Sequence, residues 1–249
     1  MKKELNGREL ALYVKERQAK AVRGLRQAWN VQPKLAIIRT NPAEVVDSYM
    51  RIKQNYGQDI LVDVDVHTIK QDEAVDLIDN LNNDSSIHGI IVQIPLPDTS
   101  QTDEILNSVN PNKDVDGLAE YSAFDAPTPI AISWLLAGYD IDLRGKHIVI
   151  VGHGRLVGRP LEKMWLKSGL HVTVADKKTE NLAEITTEAD ILVTATGVPG
   201  LITPNMIKHD VVLVDAGVST DSNGLIGDAS SEVRLLPHIT MTPEKGGVG

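Results

Sequence analysis

The stretch Lys146-His147-Ile148-Val149-Ile150-Val151-Gly152-His153-Gly154-Arg155-Leu156-Val157-Gly158-Arg159-Pro160 constrains the chain more than any other. Ile148 to Val151 are consecutive apolar β-formers, the pattern of a parallel strand covered on both faces. Gly152 and Gly154 then remove side chains where a phosphate would approach backbone N–H groups, and a helical stretch follows. The third glycine, Gly158, comes one residue later than in the common dinucleotide fingerprint. Spacing alone leaves two readings open, a nucleotide cradle and a plain tight strand-to-helix turn.

The segments after this turn favour the cradle. Strands are expected at residues 147–151, 171–175, 191–195 and 211–215, with helices at 156–168, 181–188 and 204–209, and Gly169 is a helix stop. The strands recur about every 20 residues, the rhythm of a doubly wound nucleotide-binding sheet. Upstream, Thr128-Pro129 reads as the N-cap and first position of a connecting helix that ends near Gly138.

Strand and helix also alternate in the first half. Leu10, Val14, Ala21, Leu25 and Trp29 recur near helical spacing from Arg8 to Asn30. Leu35 to Ile38 is a short strand, and Asn41-Pro42-Ala43 opens a helix that carries Tyr49 and Lys53 on one face. Val62, Val64 and Val66 alternate with Asp63 and Asp65 in a half-exposed strand over 60–66. Leu77, Ile78 and Leu81 mark a helix, His88 to Gln93 a strand stopped by Pro95 and Pro97, and a further helix covers 101–109. Asn110 to Gly117 is a loop. The expected fold class is α/β, with two α/β domains, 1–126 and 127–249. The second is a doubly wound, Rossmann-like parallel sheet that binds a dinucleotide; the first binds the other substrate, with the active-site cleft between them.

Composition narrows the function classes. Against 34 acidic residues stand 25 basic ones, a formal charge of -9, which argues against a nucleic-acid partner. The chain has no cysteine, so thiolate nucleophiles and cysteine metal sites are excluded. His67, His88, His171, His209 and His238 lack metal-ligand spacing, and no metal is expected. No stretch has the length of a signal-peptide core or a membrane span, so the expectation is a cytoplasmic protein without a membrane partner.

Ligands of doubly wound sheets sit beyond the carboxyl ends of the strands. That rule selects Gln93, the loop Asp114 to Gly117, and Gly152 to Gly154. Each has a bland alternative: Gln93 as a backbone cap, Asp114 and Asp116 as turn-formers, Tyr49 and Lys53 as a solvated helix face with a snorkelling lysine.

The motifs nonetheless occur together in one order. They are Tyr49-x-x-x-Lys53, Gly89-Ile90-Ile91-Val92-Gln93-Ile94-Pro95-Leu96-Pro97, Pro111-Asn112-Lys113-Asp114-Val115-Asp116-Gly117, and Thr128-Pro129. After them come Val157-Gly158-x-Pro160, Ala195-Thr196-Gly197-x-Pro199, Gly227-Asp228 and Thr242-Pro243-x-x-Gly246-Gly247-Val248-Gly249. In this set the chain resembles the bifunctional methylenetetrahydrofolate dehydrogenase and methenyltetrahydrofolate cyclohydrolase family over nearly its whole length. The resemblance implies oxidation of 5,10-methylenetetrahydrofolate by hydride transfer to NADP or NAD, then hydrolysis of the methenyl product to 10-formyltetrahydrofolate. It implies Lys53 as catalytic lysine, Gln93 as its partner, Asp116 as folate-binding aspartate and Tyr49 as the ring that stacks on the folate. Gly152, His153, Gly154, Asp176, Lys177, Thr196 and Gly197 fall at coenzyme positions, and relatives are homodimers.

The departures from the family pattern bear on coenzyme choice and completeness. The family usually has Arg-Ser after the first glycine of the turn, where the arginine meets the 2′-phosphate of NADP; this chain has His153-Gly154. Where the family often has His-Ser, this chain has Asp176-Lys177, placing an acid about where NAD-specific sheets hold the ribose. NAD is therefore expected to serve at least as well as NADP, with His153, Lys177 and Lys178 offsetting the repulsion. Leu118 to Pro127 is shorter than its family counterpart, Glu244-Lys245 replaces Val-Pro, and relatives continue past the position of Gly249 through a final helix. The competing readings are a folate- or dinucleotide-binding relative without turnover, and a shikimate- or amino-acid-type dehydrogenase.

Overall fold

Apolar runs in this chain are long enough to be buried on both sides, and in the computed structural model each becomes a strand with helices over both faces. The structure describes residues 3–221 and 224–248. The chain divides into one unit of residues 1–11 and 126–249 and another of residues 12–125.

In the unit 12–125, β2 (Lys34–Arg39) lies between β3 (Asp63–Thr68) and β4 (Gly89–Gln93), all parallel. Strand periodicity sorts the side chains. Ala36, Ile38, Ile90 and Val92 pack with Ile78 of α3 (Ala74–Asn83) and Ile105 of α4 (Thr102–Asn107). Ile37 and Ile91 point the other way, onto Val46 and Met50 of α2 (Glu44–Ile60); the first helix, α1 (Gly7–Trp29), precedes β2 in the chain. The strand expected from residue 60 begins at Asp63, because α2 runs on to Ile60 and ends at Leu61 in the left-handed region (φ 66). Gly57 allows that close approach: a Cβ there would lie 2.4 Å from Val64 Cγ2.

The other unit holds a parallel six-stranded sheet in the order β1-β11-β8-β7-β5-β6. Its members are β1 (Lys3–Glu4), β5 (Ile148–Val151), β6 (Val172–Ala175), β7 (Ile191–Thr194), β8 (Val212–Asp215) and β11 (Thr240–Met241). Val149, Val151, Leu192 and Leu213 face one core cluster. Ile148, Ile150, Ile191, Val193 and Val214 face the other, with Ile132 and Leu136 of α5 (Pro127–Gly138) and Leu161 and Trp165 of α6 (Gly158–Lys167). A short α7 (Leu182–Thr187), the antiparallel pair β9 (Ser219–Asp221) and β10 (Gly224–Ile226), and α8 (Ser231–Arg234) complete it.

Several expectations need correction. The boundary at 126/127 gave residues 1–11 to the first half, but Lys3 and Glu4 pair with Thr240 and Met241, which ties this segment to the second unit. Thr128 is not an N-cap: α5 already starts at Pro127, with Ala126 at the cap. The helix begun at Leu156 starts at Gly158. The helix expected at 204–209 is one 3-10 turn, Pro204–Met206, because Ile207 is extended and packs into the core. The final residue of the Thr242–Gly249 motif, Gly249, and Met1 and Lys2 at the start, lie outside the described residues.

Candidate active site

In the unit 12–125, the selected residues meet at the carboxyl end of the sheet. The single-turn spacing of α2 puts Tyr49 and Lys53 on one face. Gln93 is the last residue of β4, where Pro95, in a cis peptide, carries the chain away. Lys53 Nζ donates to Gln93 Oε1 at 3.0 Å, and Gln93 Nε2 donates to the Ile94 carbonyl at 3.0 Å. The amide cannot flip without losing both bonds, so its oxygen is held toward the lysine.

The two aspartates of the Lys113–Gly117 loop divide their tasks. Asp114 bridges in parallel to Ile90, is buried, and accepts the Ala119 N–H at 2.9 Å, so it is the turn-former. Asp116 is left for Lys53. Burial lowers the pKa of Lys53, and the charge of Asp116 opposes that shift. Burial likewise raises the Asp116 carboxyl, against the charge of Lys53. The group thus combines an amine whose burial favours its neutral form, a neutral acceptor and a partly buried carboxylate, suited to proton transfer beside a bound polar ring. Tyr49 stands half-exposed on the same helix, its ring open to a flat ligand.

In the other unit, β5 runs into the glycine turn. Gly152 has φ 100, and a Cβ there would meet the Ala195 carbonyl oxygen at 2.5 Å. Gly158 is tighter still: a Cβ would lie 1.8 Å from Gly152 O, so only glycine lets α6 start against the turn. Gly154 is the opposite case, exposed with nothing within 4 Å of a Cβ. Two glycines make the turn and one leaves open space above it, as a phosphate cradle needs. Beside it, the Gly152 N–H donates to Ala175 O at 2.8 Å, which sets Asp176 next to the turn, at the end of β6. Asp176 is exposed, and its Oδ1 accepts the Lys178 N–H at 2.8 Å. Lys177 is exposed beside it. His153 is partly exposed, and its Nε2 lies 2.6 Å from Glu162 Oε2.

The turn Thr196-Gly197 after β7 is organised by residues to which the sequence assigned no task. Asp228 is fully buried, and its carboxylate accepts the N–H groups of Thr196 (2.7 Å) and Val198 (3.0 Å). Burial raises its pKa, and these donors oppose the rise. Asp215, at the end of β8, accepts the N–H groups of Asp228 and Ala229 and pairs with Arg234 at 2.6 Å. Its own N–H donates to Thr242 Oγ1. Gly217 and Gly227 are glycines because carboxylates fill their side-chain space: a Cβ would come 2.0 Å from Asp228 Oδ1 and 2.2 Å from Asp215 Oδ2. The motifs Gly227-Asp228 and Thr242-Pro243 were the signal available for this network.

Residues 126–249 match the family model described as the NAD(P)-binding domain of tetrahydrofolate dehydrogenase/cyclohydrolase, and residues 5–116 match its catalytic domain. The bifunctional protein FolD of Lactobacillus acidophilus is 35% identical, over 100% of this chain and 92% of its own. Among solved structures, the bifunctional enzyme FolD of Campylobacter jejuni superposes with a TM-score of 0.94 at 33% identity, covering 100% of this chain and 93% of its own. The methylenetetrahydrofolate dehydrogenase-cyclohydrolase of Trypanosoma brucei, solved with NADP and an inhibitor, gives 0.88 at 25%, covering 98% and 90%. The chain belongs to the tetrahydrofolate dehydrogenase/cyclohydrolase family.

Proposed function

We propose that the chain oxidises 5,10-methylenetetrahydrofolate to the 5,10-methenyl form and hydrolyses that product to 10-formyltetrahydrofolate. The observation that carries this reading is the Lys53–Gln93 hydrogen bond beside Asp116, in a chain of this family. In the oxidation, a nicotinamide dinucleotide accepts hydride from the methylene carbon. That transfer demands contact between carbon and ring. Tyr49 stacks on the pterin and Asp116 accepts bonds from its donor edge. In the hydrolysis, water adds to the methenyl carbon while the neutral Lys53 amine takes its proton. The N5–carbon bond then breaks, N5 takes a proton, and one proton is released overall. Gln93 keeps the amine aimed without adding a charge that would hold it protonated.

Gly152, Gly154, Thr196 and Gly197 form the coenzyme site. NAD serves at least as well as NADP there. Asp176 supports this part of the reading, since its carboxylate suits a ribose 2′-hydroxyl and repels a 2′-phosphate. The reading includes the homodimer that the family resemblance implies, which sedimentation velocity reads directly. Absorbance assays with 5,10-methylenetetrahydrofolate and each coenzyme, following methenyl formation and decay, test the reading. Turnover with both steps is expected, with Lys53→Ala losing 10-formyl production; an unmutated protein with neither step would overturn it.

A further inference from the structure

The glycine turn carries a His153–Glu162 hydrogen bond that the proposed reaction leaves without a task. Glu162 lies on the second turn of α6 and reaches back to His153, with both side chains about one-third exposed. His153 directly follows Gly152 after β5, and β6, in register with β5 through Val151 and Ala175, is followed by Asp176. In a doubly wound sheet this edge takes the ribose of the dinucleotide. Its 2′ substituent is all that separates NADP from NAD.

We propose that Glu162 is a specificity-determining positioning residue: by holding His153 Nε2 it withholds that donor from a 2′-phosphate and tilts the site toward NAD. This rests on the dinucleotide reading of the turn. A 2′-phosphate is a multiply charged anion and needs cationic donors aimed at it. The imidazole is the side chain placed directly after the first glycine, and one of its two ring nitrogens, Nε2, is already committed to a carboxylate. When the ring is protonated, Glu162 cancels its charge as well. Glu162 and Asp176 together give the site two carboxylates where NADP would bring a phosphate. Lys177 and Lys178 stand on the same strand end and supply positive charge, so the contribution of Glu162 has to be separated from theirs.

Calorimetric dissociation constants for NAD and for NADP on the full chain make that separation, and they do not depend on folate turnover. Glu162→Gln keeps the side-chain shape and replaces a charge-assisted bond by a neutral one of about half the strength. It is expected to shift affinity toward NADP relative to NAD by about three- to fivefold, the size of one charge contact in a partly exposed site. On a His153→Ala background the same substitution should give most of that shift back. A structural role for Glu162 would weaken both coenzymes alike and leave their ratio in place. An unmoved ratio in Glu162→Gln overturns the inference alone, and so does an equal shift without His153, which would leave a bare charge effect. If the unmutated protein binds neither coenzyme, the dinucleotide reading falls and this inference falls with it.

Discussion

Lys53 Nζ donates to Gln93 Oε1 across 3.0 Å, and the acceptor is a neutral amide held in place by its own bond to the Ile94 carbonyl. The neutrality of that partner matters, because the burial that lowers the Lys53 pKa would be countered by a carboxylate at the same distance. Gln93→Glu is therefore expected to raise the Lys53 pKa and shrink the fraction of neutral amine. Hydrolysis of the methenyl form should fall by roughly 10–100-fold, in the range of a lost proton-transfer group, and recover as pH rises. Hydride transfer uses no such proton and should fall less. Separate traces of methenyl decay and reduced-coenzyme formation measure the two.

Asp116 acts on Lys53 in the opposite direction from burial, holding its pKa up. Removing the charge by Asp116→Asn lets burial act unopposed, and the Lys53 pKa drops further. The amine works when neutral, and the neutral form appears as pH rises through the pKa. The rising limb of the hydrolysis profile should thus move to lower pH in this variant. Its folate KM should rise at every pH, since a carboxylate acceptor for the pterin is lost. A profile that does not move, or moves up, would separate Asp116 from Lys53. Steady-state hydrolysis at saturating substrate across pH 5–9 is the measurement, a range set about the neutral region where such a base must operate.

Strand-end residues such as Gln93 and Gly152 are legible in the sequence because a local pattern announces them: an apolar run, then a proline or glycine that stops pairing. The carboxylate network is not legible that way. Asp228 meets Thr196 across 32 residues, and Asp215 meets Arg234 across 19, so their partnership exists only once β7 and β8 lie side by side. Glu162 and His153 are nine apart, joined by a turn whose close packing depends on Gly158. The two-residue strands β1 and β11 are too short to show any period. At Pro204 the pattern misleads: a proline after Thr203 reads as a helix start, and the burial of Ile207 in extended form overrides it.

Asp228 shows what the long-range network contributes. Its carboxylate takes two N–H groups of the Thr196–Val198 turn, and Asp228→Ala leaves both without that acceptor. The Val198 N–H keeps Thr196 Oγ1 at 3.1 Å, so the Thr196 N–H is the donor left unsatisfied; at about 1–3 kcal/mol for such a donor, the loss is roughly 2–12 °C in Tm for a chain of this length. Asp228→Asn should recover only part, because its NH₂ replaces one of the two acceptors and faces an N–H. In variants that remain folded at the assay temperature, a loosened turn should raise coenzyme KM more than it lowers kcat. Thermal melts and coenzyme titrations read the two effects.

The glycine turn allows a sharper separation of fold from binding, because its glycines serve opposite purposes. At Gly158 a new Cβ would stand 1.8 Å from the Gly152 carbonyl oxygen, and backbone cannot swing aside as a side-chain tip does. Gly158→Ala must push α6 away from β5, where Leu161 and Trp165 are packed to exclusion of solvent, and should cost about 2 kcal/mol or more. At Gly154 a Cβ meets nothing within 4 Å, and its φ is outside the left-handed range, so alanine fits the fold unstrained. The methyl would instead stand in the open space assigned to the phosphates. Gly154→Ala should therefore keep the Tm of the unmutated chain and raise the KM of NAD and NADP alike, by about tenfold for one misplaced phosphate contact. A coenzyme KM unchanged by Gly154→Ala would mean that the phosphates lie elsewhere. A large fall in Tm would mean that Gly154 belongs with Gly152 and Gly158 as a residue of the turn itself.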